Sequence, residues 1–204
     1  MAHHTGPRVK VMRRLGCDLP GFSTKTMSRR PTPPGHAAAM SRRFPKLSEH
    51  ALRLREKQKL RFHYGLNERQ LRRIYQTATG MKGDTGSNML ALLESRLDNL
   101  VWRSGFARTI PAARQLVSHG HVNVGEHRAK APSQRMAPGM RFSLRTKALN
   151  REDIRVSVNN PVLEPPPGLK IDLDKLGVEV ETLPSREQVP VDIDIQKVIE
   201  FYAR

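Results

Sequence analysis

The spacing of apolar positions changes several times along this chain, and each change marks a segment. From residue 47 the spacing is helical. Ser48 can cap a helix over 49–63, with Glu49 in its first turn and Gly65 just past its end. Asn67 and Gln70 stand three apart, as in a capping box, ahead of Leu71, Ile74, Tyr75 and Ala78. Those four lie at i, i+3, i+4 and i+7 and make one apolar stripe, with Gly80 suited to the C-cap. A glycine-rich loop over 80–87 follows. It lacks the Gly-Lys-Ser/Thr spacing of a nucleotide loop, so a helix–helix connection is expected. The next helix is expected over 88–103, with Leu90, Leu93, Leu97, Leu100 and Val101 on one face and Gly105 stopping it. Thr109 and Pro111 then open a short helix that buries Ala113, Leu116 and Val117 and ends at Gly120.

The period then drops to two. Val122 and Val124 alternate with His121 and Asn123, and Gly125-Glu126 suits a two-residue hairpin turn. Met140, Phe142 and Leu144 alternate with Arg141, Ser143 and Arg145, giving one apolar and one basic face. Residues 94–149 thus read as two helices and a small antiparallel sheet. Residues 47–93 read as a helical domain completed by a C-terminal segment, 150–204. In that segment Leu169, Ile171 and Leu173 alternate like a strand. Ile195, Val198, Ile199 and Tyr202 form a last helical stripe. Residues 1–46 show no apolar period, and Pro31, Pro33, Pro34 and Gly35 interrupt them. They are expected to be a disorder-prone arm that orders on a partner. The expected class is α+β.

Charge says what the partner is. The chain of 204 residues holds 36 Lys+Arg against 19 Asp+Glu, a net charge of +17. Residues 1–149 carry 29 basic and 8 acidic side chains; residues 150–204 carry 7 and 11. A charge this concentrated becomes tolerable when phosphates neutralise it and counterions leave. The candidates in the arm are Arg8, Lys10, Arg13, Arg14, Arg42 and Arg43. On the helices and loop they are Arg53, Lys57, Lys59, Arg61, Arg69, Arg72, Arg73 and Lys82. In the small module they are Arg96, Arg108, Arg114, His119 and His121. Arginine adds a planar fork for bidentate phosphate contacts, and helix N-termini at Asn67 and Thr109 are further phosphate seats. Aromatic residues are 5%, too few for a base-stacking platform.

Other classes drop out. Cys17 is the single cysteine, which excludes an intrachain disulfide or a thiolate cluster. His119 and His121 lack companions for a tetrahedral site, so neither metal nor cofactor is expected. No run of 18 apolar residues and no signal-peptide core is present, so a reducing, soluble compartment is expected and no membrane.

Certain stretches resemble a known module. They are Arg96-Leu97-Asp98-Asn99-Leu100, Gly105-Phe106-Ala107 and the run from Ala113 through His119-Gly120-His121-Val122. They resemble the small RNA-binding domain named after the fourth small-subunit ribosomal protein. The flanks resemble the bacterial-type ribosomal family itself: Gly6-Pro7-Arg8, Arg13-Arg14-Leu15-Gly16, Pro33-Pro34-Gly35-His36, residues 54–61, Tyr64-Gly65-Leu66, Glu68-Arg69-Gln70 and Val198-Ile199-Glu200-Phe201-Tyr202. The likeness is good over 6–149, poor over 150–190 and moderate beyond.

The resemblance implies a structural protein that binds the five-prime domain of small-subunit ribosomal RNA and nucleates assembly. It implies contacts with the fifth small-subunit protein and with messenger RNA near the entry path, and an influence on translational accuracy. The implied location is the ribosome of the cytoplasm or, alternatively, of the plastid stroma. The arm matches the form of the family without zinc-binding cysteines. Gly125-Glu126 replaces the family's Asn-Gly turn, and Ile110 stands where an arginine is frequent. Ser95-Arg96-Leu97-Asp98 superficially resembles the context of the catalytic aspartate of pseudouridine synthases, enzymes that carry the same module. Asp98 falls inside the module's first helix, and the residues after 148 are too few for a catalytic domain. Asp98 is therefore expected in a helix-surface salt bridge or a capping contact. A quality-control factor carrying the same module fits less well, because of the long basic N-terminus.

Overall fold

A computed structural model describes residues 6–28, 31–35, 47–149, 151–172 and 176–203. Arg42, Arg43 and Leu173 lie outside the described residues. In chain order the helices and strands are α1 (Arg8–Leu15), α2 (Glu49–His63), α3 (Glu68–Thr79), α4 (Thr85–Glu94), α5 (Leu97–Arg103), α6 (Ile110–Ser118), β1 (Val122–Val124), β2 (His127–Arg128), β3 (Arg141–Leu144), α7 (Thr146–Leu149), α8 (Glu152–Asn159), β4 (Leu169–Asp172), β5 (Gly177–Val180) and α9 (Ile195–Tyr202). They form two compact units: residues 1–86 with 190–204, and residues 87–189.

In the first unit the caps act as the sequence indicates. The Ser48 side chain accepts from the Ala51 amide. Asn67 and Gln70 close a reciprocal capping box at the start of α3. Leu71, Ile74 and Ala78 are buried, and Tyr75 stacks on Tyr202 at 5.0 Å between centroids. That contact belongs to α9, which packs along α2. Glu68 is the pin: it accepts from the Tyr202 hydroxyl at 2.7 Å and from Lys57 Nζ at 3.0 Å. Lys57 Nζ also lies 4.2 Å from the centre of the Phe201 ring. Burial would raise the Glu68 carboxyl, but the hydrogen bonds from Tyr202 and Lys57 and the charges of Lys57 and Arg61 bring it below the usual glutamate range. Burial and the Glu68 carboxylate push the Tyr202 hydroxyl well up.

A depressed carboxyl adds stability above its unfolded pKa, and this is lost as pH falls through the folded value. Tyr202→Phe is therefore expected to lower stability by about 1 kcal/mol at neutral pH, with the deficit shrinking in acid. Urea unfolding at several pH values checks it.

The described part of the arm differs from expectation. Arg8–Leu15 is a helix, stopped at Gly16, whose φ of 69° places it in the left-handed region. Met12, Leu15, Leu19 and Phe22 make a small buried core, with Val9, Val11, Phe62 and Val191 packed against it. The apolar surface that the arm lacks alone is supplied by α2 and by the segment before α9.

In the second unit the sheet has strand order β2-β1-β3-β5-β4 and every pairing is antiparallel. The Gly125-Glu126 turn forms as read, with Val124 opposite His127 and Gly125 at φ 57°. The expected single helix over 88–103 is broken at Ser95-Arg96. The Leu97 and Asp98 amides donate to the carbonyls of Gln134 and Pro132 at 2.8 and 3.0 Å, and Met136 N donates to Ser95 O at 2.8 Å. Strand-like pairing with 132–136 replaces the helical bonds that would have joined α4 to α5.

The segment 150–204 also divides differently from the reading. Its last residues join the helical unit, whereas β4 and β5 extend the small sheet through the pairing of Phe142 with Val178. One sheet face, with Val122, Phe142, Leu144, Val178 and Val180, is buried with α5 and α6 in a core that includes Leu97, Leu100, Ile110 and Val117. Phe106 meets Phe142 edge to face at 6.4 Å.

Candidate nucleic-acid interface

An arginine that neutralises its own protein's carboxylate has little left to offer a phosphate. The candidate cations separate on that criterion. On α2 they are engaged internally. Arg53 Nε donates to Glu200 at 2.7 Å, Lys57 to Glu68 at 3.0 Å and Lys59 to Glu56 at 2.7 Å, while Arg61 stands 3.9 Å from Glu68. Lys57 is 5% exposed and belongs to the interior. In the arm, Arg8 donates to the Phe22 carbonyl and Arg13 to the Thr32 carbonyl, both holding the chain's own path. Lys10 and Arg14 are exposed.

Helix α3 is the contrast. Leu71, Ile74 and Ala78 turn inward, so the helical period turns Arg69, Arg72 and Arg73 out to solvent. None of the three makes an ion pair among the described residues. The Asn67 cap at the helix start spends its side chain on the Gln70 amide. Lys82 is exposed in the following turn.

In the second unit Arg96 and Arg114 are interior. Both clamp Asp98: Arg96 Nη2 and Arg114 Nη2 each lie 2.7 Å from its Oδ2, and Asp98 is fully buried. Asp98 is thus no helix-surface residue, because α6 folds Arg114 over it and the kink at Ser95-Arg96 folds Arg96 back. Glu94, also fully buried, meets Arg103 at 3.3 Å and Asn99 at 3.0 Å. Arg108 is exposed, with no ion pair among the described residues. On the polar sheet face Arg141 is paired with Glu179 at 3.0 Å and Lys170 with Glu181.

His119 and His121 come together, with ring centroids 6.3 Å apart. Three arginines that sequence reading missed surround them: Arg128 from β2, Arg145 after β3 and Arg151 before α8. They lie on three separate elements, so no local spacing reveals them. Only the fold of the antiparallel sheet collects them. Burial holds the His121 ring below the usual histidine range, and Arg151, His119, Arg128 and Arg145 push the same way.

Among the described residues no group of His, Cys, Asp and Glu could hold a metal ion, and no helix is long and apolar enough to cross a membrane. Burial raises the Cys17 thiol, with Glu56 and Asp18 adding to the rise against Lys59 and Arg55.

An α+β chain whose cations divide between internal clamps and an outward basic surface has the form of a polyanion-binding protein. Residues 3–94 match the family model for the ribosomal protein S4/S9 N-terminal domain, and residues 95–142 match the S4 domain. The chain is 47% identical over 204 residues to "Small ribosomal subunit protein uS4" of Methylobacillus flagellatus, covering 100% of this chain and 98% of that one. It is 47% identical over 206 residues to the protein of that name from Geobacillus sp. (strain WCH70), with full coverage of both. Against that of Cyanothece sp. it is 46% identical over 207 residues, covering 100% of this chain and 99% of the relative. The chain belongs to the uS4 family of small ribosomal subunit proteins. It is a structural constituent of the small subunit and not an enzyme.

Proposed function

We propose that this protein is a primary binder of the five-prime domain of small-subunit ribosomal RNA and that its docking nucleates assembly of the subunit body. In the same reading it contacts the fifth small-subunit protein, lies near the messenger entry path and influences decoding accuracy. Its setting is the ribosome of the cytoplasm, with the plastid stroma as the alternative. Family membership supports the reading. The observation that carries it is the division of the cations: Arg69, Arg72 and Arg73 remain outward on one helix while Arg53, Lys57 and Lys59 of α2 are bound to carboxylates. Phosphate contacts of that kind position the protein, and specificity comes from fitting the shape of an RNA junction.

Of the sequence candidates, Arg69, Arg72, Arg73, Lys82, Arg108, His119 and His121, with Lys10 and Arg14, are the RNA-facing set. Lys57, Arg96 and Arg114 hold the fold instead. The test is binding of the full chain to a five-prime-domain transcript across a salt series, against an equal mass of unrelated structured RNA. The expected result is a preference for the ribosomal transcript that survives at salt where the competitor dissociates. Equal affinities that collapse together would leave only generic polyanion binding.

A further inference from the structure

Helix α6 ends and β1 begins within three residues, and the turn between them has an unusual surround. Gly120 at the turn has φ 69°, and a Cβ there would collide with the Arg128 guanidinium, which lies directly over the glycine. Arg128 Nη2 donates to the His119 carbonyl at 2.7 Å. On the other side Arg145 Nη1 reaches toward the Gly120 carbonyl at 3.5 Å, and the Arg145 amide donates to the His121 carbonyl at 2.9 Å. The turn's own carbonyls therefore fix two guanidiniums before any ligand arrives. Arg151 is the third. Its Nε and Nη2 hold Asp153 at 3.0 and 2.8 Å, while Nη1 stands 3.4 Å from His121 Nε2. That geometry suits a neutral ring whose Nε2 accepts.

We propose that the Gly120 turn is a phosphate seat for the RNA backbone, built by Arg128, Arg145 and Arg151, and that RNA binding there places a proton on His121. The inference rests on the RNA-binding reading above and adds the site and its proton linkage. Glycine brings Arg128 onto the turn, the carbonyls of His119 and Gly120 hold two cations in place, and His121 lies among them. The groups facing its ring come from every side: His119 from the end of α6, Arg128 from β2, Arg145 from the end of β3, and Arg151 with Asp153 from the start of α8. Three guanidiniums thus meet one carboxylate, and Asp153 is committed to Arg151.

In the free protein burial, with this field adding to it, holds the imidazole below the usual histidine range, and the contact of Arg151 Nη1 with Nε2 suits the neutral ring. A phosphate entering between Arg151 and the ring offsets one of those positive charges and sets an anionic oxygen against Nε2, nearer to the ring than the guanidiniums behind it. Arg151 Nη1 turns its N–H to a phosphate oxygen. His121 Nε2, released from accepting, takes a proton from solvent and donates to the phosphate. One N–H bond forms on the ring and the buffer supplies the proton. Affinity then rises as pH falls between the free and bound titration points of His121.

The experiment is calorimetric titration of the full chain with the five-prime-domain transcript, in two buffers of different ionisation enthalpy, at about pH 6.5. The expected result is uptake of up to about one proton, with affinity weakening about threefold to tenfold from about pH 5.5 to about pH 8. In His121→Asn the proton uptake is lost and the dependence of affinity on pH flattens, at whatever affinity the variant retains. In His119→Asn most of it remains. Arg151→Gln leaves the ring in place as a second probe: the free His121 resonance should titrate at higher pH, and uptake on binding should fall. Tight binding of the wild type with the same heat in both buffers would overturn the proton linkage and leave the RNA-binding reading standing. No preference for the transcript would overturn that reading, and this one with it. Protonation of His121 by inorganic phosphate alone, without any by RNA, would identify a free-anion site and also overturn the proposal.

Discussion

Replacing Asp98 with alanine is expected to cost the second unit about 3–5 kcal/mol, the range for stripping one partner from a buried ion pair. The carboxylate is fully buried and shared. Arg96 reaches it with Nε and Nη2 at 3.0 and 2.7 Å, and Arg114 with the same two nitrogens at 3.0 and 2.7 Å. Taking it away leaves two guanidiniums in the interior facing each other. The reporter is built in: Trp102 is the single tryptophan, buried on α5 four residues from the clamp. Its fluorescence through a urea titration reads the stability of this unit. Restoring apolar balance with Arg96→Met, Arg114→Met and Asp98→Leu together should return much of the loss, since a packed apolar set of similar volume replaces a buried triad at small cost. A change under about 1 kcal/mol for Asp98→Ala would mean that the arginines find water or another partner, and would return them to the candidates for RNA contact.

The two arginines of that clamp show where sequence reading stops. A basic residue in a basic module reads as a phosphate ligand, and its carboxylate partner is invisible until the helices fold together. Arg114 is sixteen positions from Asp98, and only the packing of α6 on α5 joins them. Lys57 is the same case, paired with a glutamate on another helix. What local chemistry dictates was legible: the capping box at Asn67 and Gln70, the Gly125-Glu126 hairpin, and the stripe of α9. Two apolar patterns misled. The stripe from Leu90 to Val101 runs through the kink at Ser95-Arg96, because Leu93 and Leu97 are buried on both sides of it. The apolar positions of α1 are too few to read as an element, because their covering surface comes from Phe62 and Val191. The partner of β5 was equally hidden, since nothing near Val178 states that it will lie beside Phe142. The Gly120 cluster failed for the same reason, its arginines being gathered by the sheet.

The division of the cations makes the second large prediction. Arg69→Ala, Arg72→Ala and Arg73→Ala together should weaken binding to the five-prime-domain transcript about a hundredfold at moderate salt. They should also reduce the slope of log affinity against log salt by about 2–3, near one per lost phosphate contact. Stability should hardly move, because the three side chains are exposed on α3 and its buried stripe is untouched. Alanine is also a good helix residue. The matched control is Arg53→Ala with Lys59→Ala. Each removes a cation from the same unit, but one already bound to Glu200 or Glu56. The net charge falls by two where the triple variant loses three, yet the salt slope should stay within about half a unit of the parent. That pair separates two ideas that net charge cannot. If RNA reads only the overall field of a chain at +17, both variants weaken in proportion to the charge removed. If RNA reads the cations that the fold leaves outward, the triple variant fails and the control does not. The second outcome is expected, because counterion release requires a phosphate at the side chain, and an arginine held by its own carboxylate has already given up its place to one.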